Sequence, residues 1–153
     1  MKLLIIFGLI VTIQCSAQKD FRVMFYNVEN IFDTIDNPDT HDDDFLPQGT
    51  YHWNKTRYWK KLHNISKVIT MVGEGLPPAL VGMCEIENDS VLFNLTRRAS
   101  LNRHKYRYIV TDSQDDRGMN VALLYQRDEF KLLSNKTYTP IYKGEEWKKK
   151  RDI

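Results

Sequence analysis

What the 153-residue chain lacks narrows its class before any motif is considered. It has no excess of either charge: 22 Lys+Arg stand against 20 Asp+Glu, a formal net charge of +2. That balance argues against a basic nucleic-acid coat protein or an acidic tail protein, so an anionic partner has to be met by local groups. No hydrophobic run reaches the roughly 20 residues needed to cross a bilayer. The longest, Leu3–Ile13, is only about eleven residues. Internal repeats and low-complexity tracts are absent as well. Cysteine is scarce, with Cys15 and Cys84 the only two. What is present is ordinary globular material, 42% apolar and 27% charged, at one domain's length.

The N-terminus is read first because it is expected to be removed before the rest folds. Met1-Lys2, the apolar run and Cys15-Ser16-Ala17 before polar Gln18 have the layout of a signal peptide. Cleavage after Ala17 and export are expected, with residues 18–153 as the mature chain. A lipid anchor on Cys15 is the less favoured reading, since Thr12-Ile13-Gln14 is a poor approach to a modified cysteine. Processing leaves Cys84 alone, so no intrachain disulfide forms even in an oxidising compartment and stability has to come from the core.

Within the mature chain, Phe21–Tyr26 is rich in β-formers and apolar at both parities, the pattern of a strand covered on both faces and ending at Asn27. Tyr58, Leu62, Ile65, Ile69 and Val72 then recur at helical spacing, with Lys60, Lys61 and Lys67 off the stripe. Asn54 suits the N-cap, and Gly73, Gly75 and Pro77-Pro78 stop the helix. Ala79–Cys84 reads as a buried strand, and Ser90 to about Arg98 as a second helix with Val91, Leu92 and Leu95 inward. Tyr106–Thr111 and Met119–Tyr125 read as an antiparallel hairpin about a turn-rich loop.

Strand, helix, strand is a βαβ unit, and its two strands are parallel. Asn27 and Glu85 each end one of them, so adjacent strands bring the two side chains to one sheet edge, where α/β sites form. A carboxylate beside a carboxamide suits a hard cation such as Mg²⁺ and a phosphate oxygen.

The residues also carry a resemblance. Phe25-Tyr26-Asn27-Val28-Glu29-Asn30-Ile31-Phe32-Asp33 resembles the opening strand of the endonuclease/exonuclease/phosphatase superfamily, which includes pancreatic-type deoxyribonucleases. Val81–Asn88 is similar to its strand ending in a metal-binding glutamate, Arg57–Leu62 to the linking helix, and Asp116–Tyr125 to a later strand of secreted bacterial members. The resemblance implies an α/β fold, a sandwich of two sheets with helices on the outer faces. Residues 18–153 match its N-terminal half, so one apolar sheet face is expected to lack its cover. It further implies metal-dependent phosphoester hydrolysis with Mg²⁺ or Mn²⁺, on a phosphoester substrate such as nucleic acid. Glu85 stands at the metal-ligand position and Asn27 at the active-site asparagine, near both metal and phosphate. Arg117 admits two readings, a phosphate contact or, preferred, a loop arginine paired with Asp115 or Asp116.

Other polar groups receive plainer readings. Glu29 and Glu87 are expected to face solvent. The loop Asp36, Asp39, Asp42, Asp43, Asp44 lacks calcium-loop spacing and reads as solvated, and the run Lys148–Arg151 as a solvated tail. His41, His52, His63 and His104 match no catalytic histidine of the family, and the family's aspartate–asparagine and closing aspartate–histidine motifs are not found in these residues. Two functions follow, a metal-dependent phosphoesterase or a non-catalytic binding fragment. No substrate-specific residue is visible.

Overall fold

The structure, a computed structural model, describes residues 21–113 and 115–138. The segment Met1–Ala17 expected to be a signal peptide, with Cys15, and the basic run Lys148–Arg151 lie outside the described residues. The elements are β1 (Val23–Ile31), α1 (Lys55–Val72), β2 (Leu80–Ile86), α2 (Asp89–Phe93), β3 (Tyr106–Val110) and β4 (Asn120–Gln126), with short 3₁₀ turns at Asp43–Phe45 and Ser100–His104. The fold class is α/β. One four-stranded sheet has the order β1-β2-β4-β3, β1 and β2 parallel and the other pairs antiparallel. None of the described helices is long and apolar enough to cross a membrane.

α1 forms where its stripe and cap require. The Asn54 side chain accepts from the Arg57 backbone N–H, and Tyr58, Leu62, Ile65 and Ile69 turn inward. Val72, at the helix end, is exposed instead. Gly73 caps the last turn, and Arg22 donates to the carbonyls of Gly73 and Leu76. The second helix stops sooner than the apolar spacing suggests: after Phe93 the chain widens into a π-helical turn, Asn94–Arg98, while Val91, Leu92 and Leu95 are fully buried as expected.

Two strands expected to be covered on both faces are covered on one. In β1 Met24, Tyr26 and Val28 face the core, whereas Val23 and Phe25 are exposed. In β2 Val81 and Met83 are shielded, but Leu80, Gly82 and Cys84 are half-buried on the other side. Alternation along a strand puts neighbours on opposite faces, and among the described residues the helices lie on one face only. Phe25 pairs in register with Gly82, and its ring lies so close that a Cβ at Gly82 would meet Phe25 Cδ2 at 3.1 Å.

Candidate active site

The carboxyl ends of β1 and β2 do not run out as regular strands. Register holds from Val23↔Leu80 to Asn27↔Cys84, then shifts so that Ile31 faces Ile86. Glu29, Asn30 and Glu85 all adopt left-handed backbone, with φ of 56°, 56° and 64°. For non-glycine residues that conformation costs energy and persists only where surrounding bonds impose it. β1 carries two extra residues against β2, and β2 carries one against β4, and bulges of this kind re-aim side chains. In β2 both Met83 and Ile86 face the core, three positions apart, so Glu85 leaves the face that strict alternation would give it and meets Asn27.

The bonds that hold this geometry are specific. Asn27 Nδ2 donates to Glu85 Oε1 at 2.9 Å, and the Asn30 backbone N–H donates to Glu85 Oε2 at 2.8 Å. Asn27 Oδ1 accepts from the Glu29 N–H at 2.8 Å, which fixes the amide with its NH₂ toward Glu85. From α1, Lys61 Nζ donates to the carbonyls of Glu29 and Asn30, clamping the two left-handed residues. Burial pulls the Lys61 ammonium below its usual range, while the nearby Glu29 and Glu85 act in the opposite direction.

For Arg117 the preferred pairing is present, and a second bond accompanies it. Its Nη2 pairs with Asp115 at 3.3 Å, as preferred, and its Nη1 donates to Asn30 Oδ1 at 3.3 Å, which ties the β3–β4 loop to the strand-end bulge. Glu29 is exposed, as expected.

Glu87 is the correction. It is 4% exposed, buried against the loop after β1, where its carboxylate accepts from the Asp33 N–H. Burial, reinforced by the neighbouring charges of Asp33 and Asp42, pushes its pKa up to about 7 despite that hydrogen bond. Asn88 and Asn120 complete this second polar cluster: Asn88 Nδ2 donates to Asp33, and Asn120 Nδ2 to the Glu87 carbonyl. The acidic loop is corrected too. Asp42 is buried, and burial raises its pKa, whereas Asp36, Asp39, Asp43 and Asp44 are exposed, as expected. Among the histidines, His41, His52 and His63 are exposed, and His104 is half-buried with burial lowering its pKa.

Sequence reasoning thus found Asn27 and Glu85, which the fold brings together. It missed Lys61 and Asn30. Lys61 sits at the edge of the α1 stripe, one position before Leu62, and only the bulge gives it carbonyls to bind. Among the described residues no group of three or more His, Cys, Asp or Glu is arranged to hold a metal. At the bulge the Glu85 carboxylate faces the Asn27 NH₂ and the Asn30 N–H. A single carboxylate is within what Mg²⁺ accepts from a protein, since that ion is held by one or two carboxylates and retains several waters.

A family model described as "Endonuclease/Exonuclease/phosphatase family" matches residues 22–153. No curated protein and no solved structure matches the chain.

Proposed function

The chain belongs to the endonuclease/exonuclease/phosphatase family, a family of phosphoester hydrolases, and from that premise we propose that it carries the metal-anchoring part of a divalent-metal-dependent phosphoesterase site. The observation that carries the reading is the 2.9 Å bond between Asn27 and Glu85 across the ends of parallel strands. Glu85 would hold Mg²⁺ or Mn²⁺, and when bound such an ion supplies Lewis-acid polarisation of a phosphoryl oxygen. Asn27 holds the Glu85 carboxylate in one orientation, and its amide also offers a neutral donor for a phosphate oxygen. The Lys61 clamp and the Arg117 bond preorganise the bulge on which both depend, which is how a fixed electrostatic site lowers a barrier. Neither Asn27 nor Glu85 is bonded to a histidine among the described residues, so we propose that turnover draws its acid/base group from elsewhere in the family's two-sheet sandwich.

The test is direct. In a protein carrying the whole family domain, Glu85→Gln should abolish Mg²⁺-dependent hydrolysis of a chromogenic phosphodiester, a loss of at least about 10²–10³ in rate. Size and fold are kept and only charge is removed, so turnover with unchanged Mg²⁺ dependence would refute the assignment. Export is proposed alongside, on the apolar run and the Ala17-Gln18 junction. An intact mass starting at Gln18 in the native host is expected, and a cytosolic product starting at Met1 would sink it.

A further inference from the structure

The formal net charge of +2 conceals a segregation of charge along the fold. Val28–Asn54 holds Glu29, Asp33 and the five Asp of the acidic loop, with no Lys or Arg. α1 is the reverse: Lys55, Arg57, Lys60, Lys61 and Lys67 stand on it without one Asp or Glu. The stretch Ser90–Arg107, which packs beside α1, adds Arg97, Arg98, Arg103, Lys105 and Arg107, again with no acid. Arg97 and Arg98 have Asp89 beside them and are offset by it. Lys60, Lys67 and Arg103 are exposed and in no ion pair among the described residues.

Those three cations gather around one point. On α1, Lys60, His63 and Lys67 are spaced by three and four residues, on the side opposite the buried stripe of Tyr58, Leu62, Ile65 and Ile69. His63 Nδ1 is hydrogen-bonded to Ser100 Oγ at 3.0 Å, and Arg103 Nε donates to the Ser100 carbonyl at 3.4 Å, which brings Arg103 to the same side. Along it Trp59, His63, Lys67 and Met71 recur every four residues. Trp59 is 38% exposed and Met71 75% exposed. An apolar side chain therefore stands at each end of the cationic patch, the two about 18 Å apart at about 1.5 Å of rise per residue.

A merely solvated helix face alternates the two signs of charge. This one carries a single sign, with exposed apolar groups at its ends. It is also the outside of a helix, a ridge, whereas single-stranded nucleic acid is held in a groove that tracks its backbone. A bilayer of anionic lipid meets both parts, its phosphates the cations and its interfacial zone the two apolar tips. We propose that this face of α1 docks the protein on an anionic phospholipid bilayer, with Lys60, Lys67 and Arg103 at the headgroups and Trp59 and Met71 entering the interface. The docking is peripheral and independent of the phosphoesterase reading, since Asn27 and Glu85 lie at the strand ends and contribute nothing to it.

The experiment is co-sedimentation of the full chain, in EDTA, with sucrose-loaded vesicles of phosphatidylcholine alone or of phosphatidylcholine mixed with phosphatidylglycerol. Binding to the mixed vesicles should exceed that to phosphatidylcholine at low salt, and the excess should vanish at high salt. Insertion through Leu3–Ile13 would appear equally with both lipids and cancels in that difference. A basic side chain near an anionic bilayer is worth about a fivefold gain in partition. Lys60→Glu with Lys67→Glu should therefore lower the excess at least about tenfold, while Lys60→Arg with Lys67→Arg should keep it. Trp59→Ser with Met71→Ser should lower it about fivefold without changing its salt dependence. Lys131→Glu, at an exposed cation elsewhere, should leave it near the wild-type level. Every substituted residue is exposed, so circular dichroism should report wild-type folding throughout. No excess with folded protein, an excess lost equally in Lys131→Glu, or an excess unmoved by Lys60→Glu with Lys67→Glu or by Trp59→Ser with Met71→Ser would each overturn the proposal. So would tighter binding of a single-stranded oligonucleotide with the same dependence on Lys60 and Lys67, which would assign the face to nucleic acid.

Discussion

On one face of the sheet Val81, Met83 and Leu124 lie fully shielded beneath the helices, while on the other Val23, Phe25 and Val121 are mostly bare. Both sets come from neighbouring strands of one sheet, the shielded residues from β2 and β4 and the bare ones from β1 and β4. The covered face makes the core with Tyr58, Leu62 and Ile69, and the open face has only shallow contacts such as Phe25 over Gly82. Apolar composition alone therefore does not show which residues stabilise the fold, because transfer from water is gained only where something covers the surface. The candidate site sits where the faces meet, at bulges that carry Glu85 from one toward the other.

The largest expected effect breaks or upholds that contrast. Leu62→Ala removes fully buried methyls and should cost about 2–5 kcal/mol, a large share of a net stability of about 5–15 kcal/mol. Phe25→Ala removes a ring that is 74% exposed and should cost less than about 1 kcal/mol. Urea midpoints read both. Exposed apolar sheet invites association, so Phe25→Thr with Val121→Thr should also reduce self-association in light scattering. If Phe25→Ala cost as much as Leu62→Ala in this chain, the open face would be covered in solution, and the contrast between the faces would fail.

Several features were legible because they are local. The α1 stripe, the Asn54 cap, the β1–α1–β2 order with parallel strands and the β3–β4 hairpin all follow from spacing and turn chemistry. The meeting of Asn27 and Glu85 follows from the parallel order. The route by which they meet did not, since β1 continues to Ile31 through Glu29 and Asn30, and nothing in those residue types announces left-handed backbone. The bare faces of β1 and β2 were hidden for a different reason: a run apolar at both parities reports what could be buried, not what lies against it. Asp42 and Glu87 were read as solvated because carboxylates usually are, and only the packing of the loop after β1 over β2 buries them.

Glu87 gives the smaller and sharper test, because it has a built-in control in Glu29. Each acid stands two positions past a proposed site residue, Glu29 after Asn27 and Glu87 after Glu85, yet Glu29 is exposed and Glu87 is buried. The folded-state pKa of Glu87, about 7, lies above its ordinary 4.5, so the folded protein holds a proton that the unfolded chain releases. Below pH 4.5 both states are protonated and stability carries no penalty. Between 4.5 and 7 the unfolded state binds fewer protons, so stability falls as pH rises, by at most about 3 kcal/mol at 1.36 kcal/mol per unit. Above 7 the deficit stays constant. Asp42, also raised by burial, contributes a slope of the same sign, so the informative quantity is the difference between variants. Glu87→Gln keeps an acceptor for the Asp33 N–H but has no proton to release. In EDTA, its urea midpoint should fall less between pH 4.5 and 7 than that of the wild type, while Glu29→Gln should follow the wild type. Equal slopes for the wild type and Glu87→Gln would mean that Glu87 titrates as a solvated acid, and that the loop after β1 does not seal the covered face at this edge.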